Sequence, residues 1–192
     1  EADTALETPP YAHAGFRFGD FAAGASFEVP FGSGLKWPAG WAGRFDVTGI
    51  RLQVFEVAAT FVWRPHETLA VAAGPRMARA TVEYSRQIDA VDTEGRVDLA
   101  GDATGWGAQV AALYRPNARL SFGLSYRSRV HLGFGGQADF QDIPVELQQK
   151  AHDQKVTTEL TVPDRLALGV AWQIGEGIAS FDAIYWSWST FE

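Results

Sequence analysis

The sequence predicts an all-β protein: an antiparallel transmembrane β-barrel segment of about eight strands in meander order. Three observations predict it. The first is an alternation of period two. In Arg119–Leu132, Leu120, Phe122, Leu124, Tyr126, Ser128, Val130 and Leu132 fall on one face, and Arg119, Ser121, Gly123, Ser125, Arg127, Arg129 and His131 on the other. One side is apolar and the other basic, the pattern of a strand between two different solvents. The second is that the longest apolar runs, Leu69–Ala73 and Val110–Tyr114, have only five residues. A membrane helix needs roughly 20, whereas a membrane strand needs about 9–11 with one apolar face. The third is a repeated turn with an aromatic residue just before it.

The strands follow in order: Tyr11–Phe18, Phe21–Phe31, Ile50–Trp63, Leu69–Gln87, Thr104–Tyr114, Arg119–Leu132, Val156–Gln173 and Gly177–Phe191. Thr104–Tyr114 repeats the alternation, with Trp106, Ala108, Val110, Ala112 and Tyr114 against Gly105, Gly107, Gln109 and Ala111. The pattern slips near Pro30, Pro75 and Pro163, where a residue without an N–H predicts bulges, kinks or edges. Phe61-Val-Trp-Arg-Pro-His-Glu-Thr-Leu and Ala112-Leu-Tyr-Arg-Pro-Asn-Ala-Arg-Leu are two copies of one turn, and Val170-Ala-Trp-Gln-Ile-Gly-Glu-Gly-Ile is a looser third. They set Trp63, Tyr114 and Trp172 at strand ends, the level of a barrel's aromatic girdle. The remaining connections, 32–49, 88–103 and 133–155, are longer and are expected as extracellular loops. Pro144–Asp153, with Pro at its start and helix formers after it, is expected as a short helix within the last.

Composition narrows the function. There are 16 Lys+Arg against 23 Asp+Glu, a net charge of −7. No clustered basic face is present for nucleic acid. Cysteine is absent, which removes thiol chemistry, disulfides and cysteine-bound metals. With 7 Trp, 5 Tyr and 13 Phe, the chain is too aromatic for intrinsic disorder. The N-terminus, Glu-Ala-Asp-Thr, lacks the basic start and apolar centre of a signal peptide, so the chain is expected to be mature or cut from something longer. No hydrolase, zincin or phosphate-loop motif occurs. The four His, at 13, 66, 131 and 152, have no ligand spacing. No enzyme activity, cofactor or metal is expected. Periodicity alone leaves a soluble β-sandwich or lipocalin-like lipid binder open, because such folds also alternate.

Six stretches carry a resemblance. Val29-Pro-Phe-Gly-Ser-Gly, Trp41-Ala-Gly-Arg-Phe, Gly101-Asp-Ala-Thr-Gly-Trp-Gly-Ala, Leu124-Ser-Tyr-Arg-Ser-Arg-Val, Leu160-Thr-Val-Pro-Asp and Asp182-Ala-Ile-Tyr-Trp-Ser-Trp-Ser-Thr-Phe-Glu resemble, in order, motifs of the FadL/OmpP1/TodX family of outer-membrane transport proteins. The resemblance implies a fourteen-stranded barrel in the bacterial outer membrane, plugged by an N-terminal hatch. This chain resembles the second to the ninth strand, so a fragment without the hatch and the last strands is expected. A monomeric barrel contacting outer-membrane lipid is implied. So is passive transport of a hydrophobic ligand, a long-chain fatty acid first and an aromatic hydrocarbon as the alternative. A barrel of the same fold with a structural or adhesive role also stays open.

The resemblance also suggests sites. Arg86, after Ala80-Thr-Val-Glu-Tyr-Ser, matches by position the family's carboxylate-binding arginine, with Arg79 and Arg76 as rivals. Pro30, Phe31 and Gly32 match a kinked strand through which ligand leaves sideways, and a proline followed by glycine suits a bulge. Leu35, Trp37 and Trp41 are candidates for an outer capture patch. Glu56, Arg127, Arg129 and Asp182 are expected to pair inside the lumen, since buried charges must pair or stay wet.

Overall fold

The computed structural model describes residues 9–90, 93–143 and 152–188. They form one antiparallel sheet of ten strands: β1 (Tyr11–Phe18), β2 (Phe21–Lys36), β3 (Gly49–His66), β4 (Leu69–Ala90), β5 (Thr93–Asn117), β6 (Leu120–Arg127), β7 (Val130–Gln141), β8 (Gln154–Val162), β9 (Arg165–Ile174) and β10 (Gly177–Trp186). β5 pairs with β6 through Gln109–Asn117 and with β7 through Arg96–Asp102, while β7 pairs with β8 and β6 with β9. β6 with β7, and β8 with β9, are therefore two long strands each broken once. The meander has the eight paths that the alternation predicts. Among the described residues β1 and β10 do not pair. The sheet nonetheless curls until β2 and β6 meet across the interior through Glu28 and Arg127.

Proline sets the irregularities. At one end of the sheet, Arg64-Pro65 and Arg115-Pro116 each occupy a shift of register beside a tight turn. A residue with no N–H is well tolerated as the extra member of a bulge. The other two turns use Gly19 and Gly175 at φ 63° and 62°, a region that an L side chain adopts with strain. Neighbouring turns are stitched together: Arg64 N–H donates to Asp20 O, Arg115 N–H to Thr68 O, and Gln173 N–H to Arg119 O. Barrels keep their short turns on the periplasmic side, so the opposite end is called outer here. A third bulge lies between Glu28 and Phe31. At Pro75 the pairing of β3 with β4 lapses between Ala58 and Phe61 with no change of register.

The outward faces form one apolar band. Trp63, Phe61, Ala59, Val57 and Phe55 of β3 stand in register with Val71, Ala73, Pro75 and Met77 of β4 and with Tyr114 to Trp106 of β5. Phe122, Leu124 and Tyr126 continue it on β6, and Leu166, Leu168 and Trp172 on β9; all are exposed. Trp106 leaves 69% of its surface uncovered. A soluble sandwich or lipocalin turns its apolar side chains inward, so this band sets that alternative aside. Above it the outward positions turn polar: Arg79, Thr104, Asp102, Asp98 and Arg96.

That change of solvent explains one departure from expectation. Segments 88–103 and 133–155, expected as loops, are mostly strand: β4 runs to Ala90, β5 starts at Thr93, and β7 and β8 fill 130–141 and 154–162. Above the bilayer the outward positions turn polar or bare, as at Asp98, Asp102, Gly133 and Gly135, so the outward apolar band that marks these strands ends, although Val97, Phe134 and Ala138 stay buried inside. Segment 32–49 is strand to Lys36 and irregular until Gly49. The helix expected at 144–153 lies, apart from its last two positions, outside the described residues.

Candidate functional site

The interior has three layers. Toward the turn end the inward positions mix small and polar residues, Gly24 and Ser26 on β2, Thr60 on β3, Gln109 on β5, and Ser121, Gly123 and Ser125 on β6, with alanines and with Val62 and Leu113. Gln109 donates to Thr60 at 2.7 Å. Above them lies a layer of charge. Arg76 Nη2 donates to Glu56 Oε2 at 2.5 Å and its Nη1 to Ser128 O at 3.1 Å. Arg127 Nη1 reaches Glu56 Oε1 at 3.4 Å and also bonds Glu28. Glu56 and Arg76 are 1% and 4% exposed. Charges so deep persist because each faces an opposite one.

Above the charges is an apolar region, called the chamber here, which is packed over most of its extent and hollow at its β2 side. Val54, Ala78, Ala80 and Ala103 on the inner faces of β3, β4 and β5 pack against Val130, Leu132 and Phe134 of β7 and Val162 of β8, with Phe31, Leu52, Val82 and Leu160 around them. Gly105 and Gly107 make this packing possible. A Cβ on Gly105 would sit 2.4 Å from His131 O, and one on Gly107 2.9 Å from a methyl of Val130. The strand containing β6 and β7 therefore bends inward across bare backbone of β5.

The hollow side of this region lies against the β2 bulge. A cleft of about 310 Å³ is lined by Pro30, Phe31, Gly32, Ser33, Leu52, Val54, Leu160, Val162, Pro163 and Trp188. The Phe31 ring meets those of Trp186 and Trp188 edge-on, at 5.6 and 6.1 Å. β1 pairs β2 only as far as Tyr11 opposite Glu28. Pro9 and Pro10, which cannot donate to a ladder, precede Tyr11. Beyond Glu28 that edge of β2, with Pro30, Phe31 and Gly32, has no strand beside it among the described residues.

The three arginines separate. Arg76 is inside the charge layer. Arg79 has the opposite parity and lies on the outer face, 3.8 Å from Asp102. Arg86 shares the inward register of Ala78, Ala80 and Val82, opposite Val97. It is exposed near the outer end and forms no ion pair among the described residues. Leu35 and Trp37 line an outer cleft of about 540 Å³ with Ile50, Lys36, Arg51 and Arg96. Trp41 stacks on Trp37 at 5.3 Å and donates its indole N–H to Val47 O at 2.8 Å. The loop is anchored on the next hairpin by Arg44, which donates to Glu94 at 2.5 Å.

One expectation about faces is corrected. The alternation carries Arg129 and His131 with Arg127 to the inner face, and Val130 and Leu132 to the lipid face. β6 instead ends at Arg127 and β7 starts at Val130. The break reverses the parity, so Val130 and Leu132 are buried in the chamber while Arg129 and His131 are exposed. Arg129 leaves the expected charge group and pairs with Asp164 at 3.1 Å. Asp182 lies beside Gly169, against which a Cβ would come within 2.5 Å of its carboxylate. Sequence reading missed Glu28 and the aromatic pair at 186 and 188. The pairing of Glu28 required knowing that β2 and β6 meet.

The family model described as outer membrane protein transport protein (OMPP1/FadL/TodX) matches residues 10–192. Among solved structures, a Pseudomonas aeruginosa FadL homologue is similar at a TM-score of 0.84 and 16% identity, with 94% of this chain and 48% of that one covered. The P. putida toluene transporter TodX is similar at 0.66 and 15%, covering 95% of this chain and 55% of that one. A TodX deltaS2S3 mutant, described as a monoaromatic hydrocarbon channel, gives 0.68 and 15%, covering 95% and 54%. At such identities the likeness is one of fold. The chain spans about half the length of these structures. No curated protein sequence matches it.

Proposed function

The chain belongs to the OMPP1/FadL/TodX family of outer-membrane transport proteins, and from that premise we propose that the whole protein is a passive channel for hydrophobic compounds, long-chain fatty acids first among them. Ligand is captured at the outer loop around Leu35, Trp37 and Trp41. It enters the apolar chamber and leaves sideways at Pro30–Gly32 into the lipid. No cofactor or energy source takes part, because apolar solutes move down their own gradient.

The observation that carries this reading is the apolar cleft at the β2 bulge. A greasy cavity that is continuous with an unpaired strand edge lets an apolar molecule pass between chamber and bilayer without crossing water. Arg86 supports the choice of an acid. It is an inward-register cation without an ion pair among the described residues, above a chamber fit for an alkyl tail. A second reading, aromatic hydrocarbons, is favoured by the edge-on rings of Phe31, Trp186 and Trp188 at the cleft. Arg76 and Arg127 are already held by glutamates.

The test is equilibrium binding of oleate and of toluene to the intact protein in detergent, with and without Arg86→Ala. Loss of oleate binding in the variant supports the acid reading and its clamp. Unchanged oleate binding removes Arg86 from the site. Toluene binding alone moves the protein to the hydrocarbon reading, and binding of neither ligand overturns transport.

A further inference from the structure

The charge layer crosses the interior directly beneath the exit, and its geometry points to a job. Glu28 is the last β2 residue before the bulge and stands opposite Glu56. Arg127 joins both carboxylates from the far side of the curl, 99 and 71 residues away in sequence. Arg76 continues the chain of charges from Glu56 to the backbone of Ser128, where β6 breaks. Two guanidinium and two carboxylate groups thus span from β2 and β3 through β4 to β6, with no net charge. Above them the walls are Val54, Ala78, Ala80, Val130 and Val162. Below them the inward positions mix serine, glycine, threonine and glutamine with alanines and with Val62 and Leu113.

We propose that Glu28, Arg127, Glu56 and Arg76 form a charged floor that stops an apolar ligand in the upper chamber from continuing along the barrel axis and so turns it toward the opening at Pro30. The inference rests on the transport reading in one respect, that apolar molecules enter the chamber from the outer end. The physical reason is desolvation. An apolar molecule that pushes through must separate paired charges: Glu56 and Arg76 are buried too deeply for water to replace the lost partner, while Arg127 and Glu28 are about a quarter exposed. The barrier is the charge layer itself, since the compartment beneath it mixes polar and small apolar side chains. The bulge, one residue above Glu28, presents only apolar side chains. Neither neutral pair needs to move for the lateral path to work, so the floor is a fixed barrier. The four residues are positioning residues: they decide direction and need not touch bound ligand.

The chain contains no cysteine, so an introduced thiol is a unique reporter of how far an apolar reagent travels. Leu52→Cys puts one above the floor and Ser26→Cys one below. The intact protein is placed in vesicles with its outer end facing out and glutathione trapped inside, which consumes reagent that leaks through the bilayer. N-phenylmaleimide is then added outside. Leu52→Cys is expected to react, and Ser26→Cys at least about tenfold more slowly, the factor that each ~1.4 kcal/mol of barrier gives. The variant E28L/R127M removes charge and keeps bulk while leaving the Arg76–Glu56 pair in place. It is expected to raise the Ser26→Cys rate to within roughly threefold of the Leu52→Cys rate.

An unchanged Leu52→Cys rate in the same background shows that the chamber is still folded. E28A/R127A repeats the measurement with a physically wider passage. Equal labelling of both positions in the starting protein overturns the floor. So does a slow Ser26→Cys that neither variant speeds up. Failure of Leu52→Cys to react at all instead overturns entry from the outer end, and with it the transport reading, so the two failures are told apart.

Discussion

Two of the places where the wall loses its regular pairing, the β2 bulge and the breaks of β6/β7 and β8/β9, are resolved in opposite ways. At the β2 bulge no strand replaces the lost pairing among the described residues: β1 pairs only as far as Tyr11, Pro30 supplies no N–H, and the side chains lining the cleft are apolar apart from Ser33. At the paired breaks of β6/β7 and β8/β9 the gap is sewn shut by one carboxylate. Asp164 Oδ1 accepts from the Tyr126 hydroxyl and the Arg129 N–H, both at 2.8 Å. Asp164 Oδ2 accepts from the Arg129 guanidinium and the Ser187 hydroxyl, both at 3.1 Å. A break in a membrane wall is thus an opening only where nothing polar remains to close it. Where a side chain replaces the missing ladder bonds, the same defect serves to bend a strand inward.

The contrast is best broken at the sewn site. Asp164→Ala removes the acceptor for four hydrogen bonds, two of them from or beside a charged group. It is expected to cost about 2–4 kcal/mol in urea unfolding of the intact protein in lipid vesicles, given ~1.5–3 kcal/mol for a bond to a charged group and incomplete additivity. Asp164→Asn keeps the shape and part of the bonding and should cost less than half as much. Equal stability of Asp164→Ala and the starting protein would sink the account of the seam. The inward bend is tested by Gly105→Ala. The new methyl has the His131 carbonyl 2.4 Å away, and overpacking of this kind costs about 1–3 kcal/mol. Gly123→Ala, with open space around the new Cβ, is the matched control and should be near neutral.

The open site is sharpened by deleting Pro30. One residue fewer restores the register between Glu28 opposite Glu56 and Phe31 opposite Val54. Stability is expected to hold, because no packed side chain is lost. Uptake of a hydrophobic ligand by cells is expected to fall roughly tenfold or more, the factor given by ~1.4 kcal/mol of added barrier. Uptake that persists with a regular β2 would mean that ligand leaves elsewhere.

These two sites also show what a sequence discloses. The eight paths were legible, because lipid outside and small residues inside impose period two wherever the bilayer reaches. Pro30 and Pro163 were legible as irregularities, because a missing N–H is a local property. Their opposite outcomes were not. Whether a gap is closed depends on Asp164 meeting Tyr126, 38 residues away. The parity reversal after Arg127 was invisible for a related reason: Ser128-Arg129 continues the alternation on paper. Only Gly105 and Gly107, two bare positions on one face of β5, hint that something packs there. The positions of Arg76 and Arg79 followed from parity once β4 was recognised. The partners of Arg76 did not, because they come from β3 and from the break after β6.

The smallest effect is expected at the outer rim, where polar contacts do a third kind of joining. The Arg44 guanidinium, by donating to Glu94, holds that carboxyl below its ordinary 4.5; desolvation acts weakly the other way. A carboxyl with a lowered folded-state value contributes stability above its unfolded value and loses it as pH falls through the folded one. The tie between the 37–48 loop and the β4–β5 hairpin should therefore be intact at neutral pH and released as pH falls through that lowered value. Both groups are exposed, so global stability should barely respond. The readout is local: hydrogen exchange of Gln87 N–H, which donates to Arg44 O at 2.8 Å. Faster exchange at pH 3.5 than the intrinsic pH trend predicts, matched at pH 7 by Glu94→Gln, is the expected result. Identical protection in Glu94→Gln and the starting protein at pH 7 would show that the backbone bonds alone hold the loop, and that the rim closes without its charges.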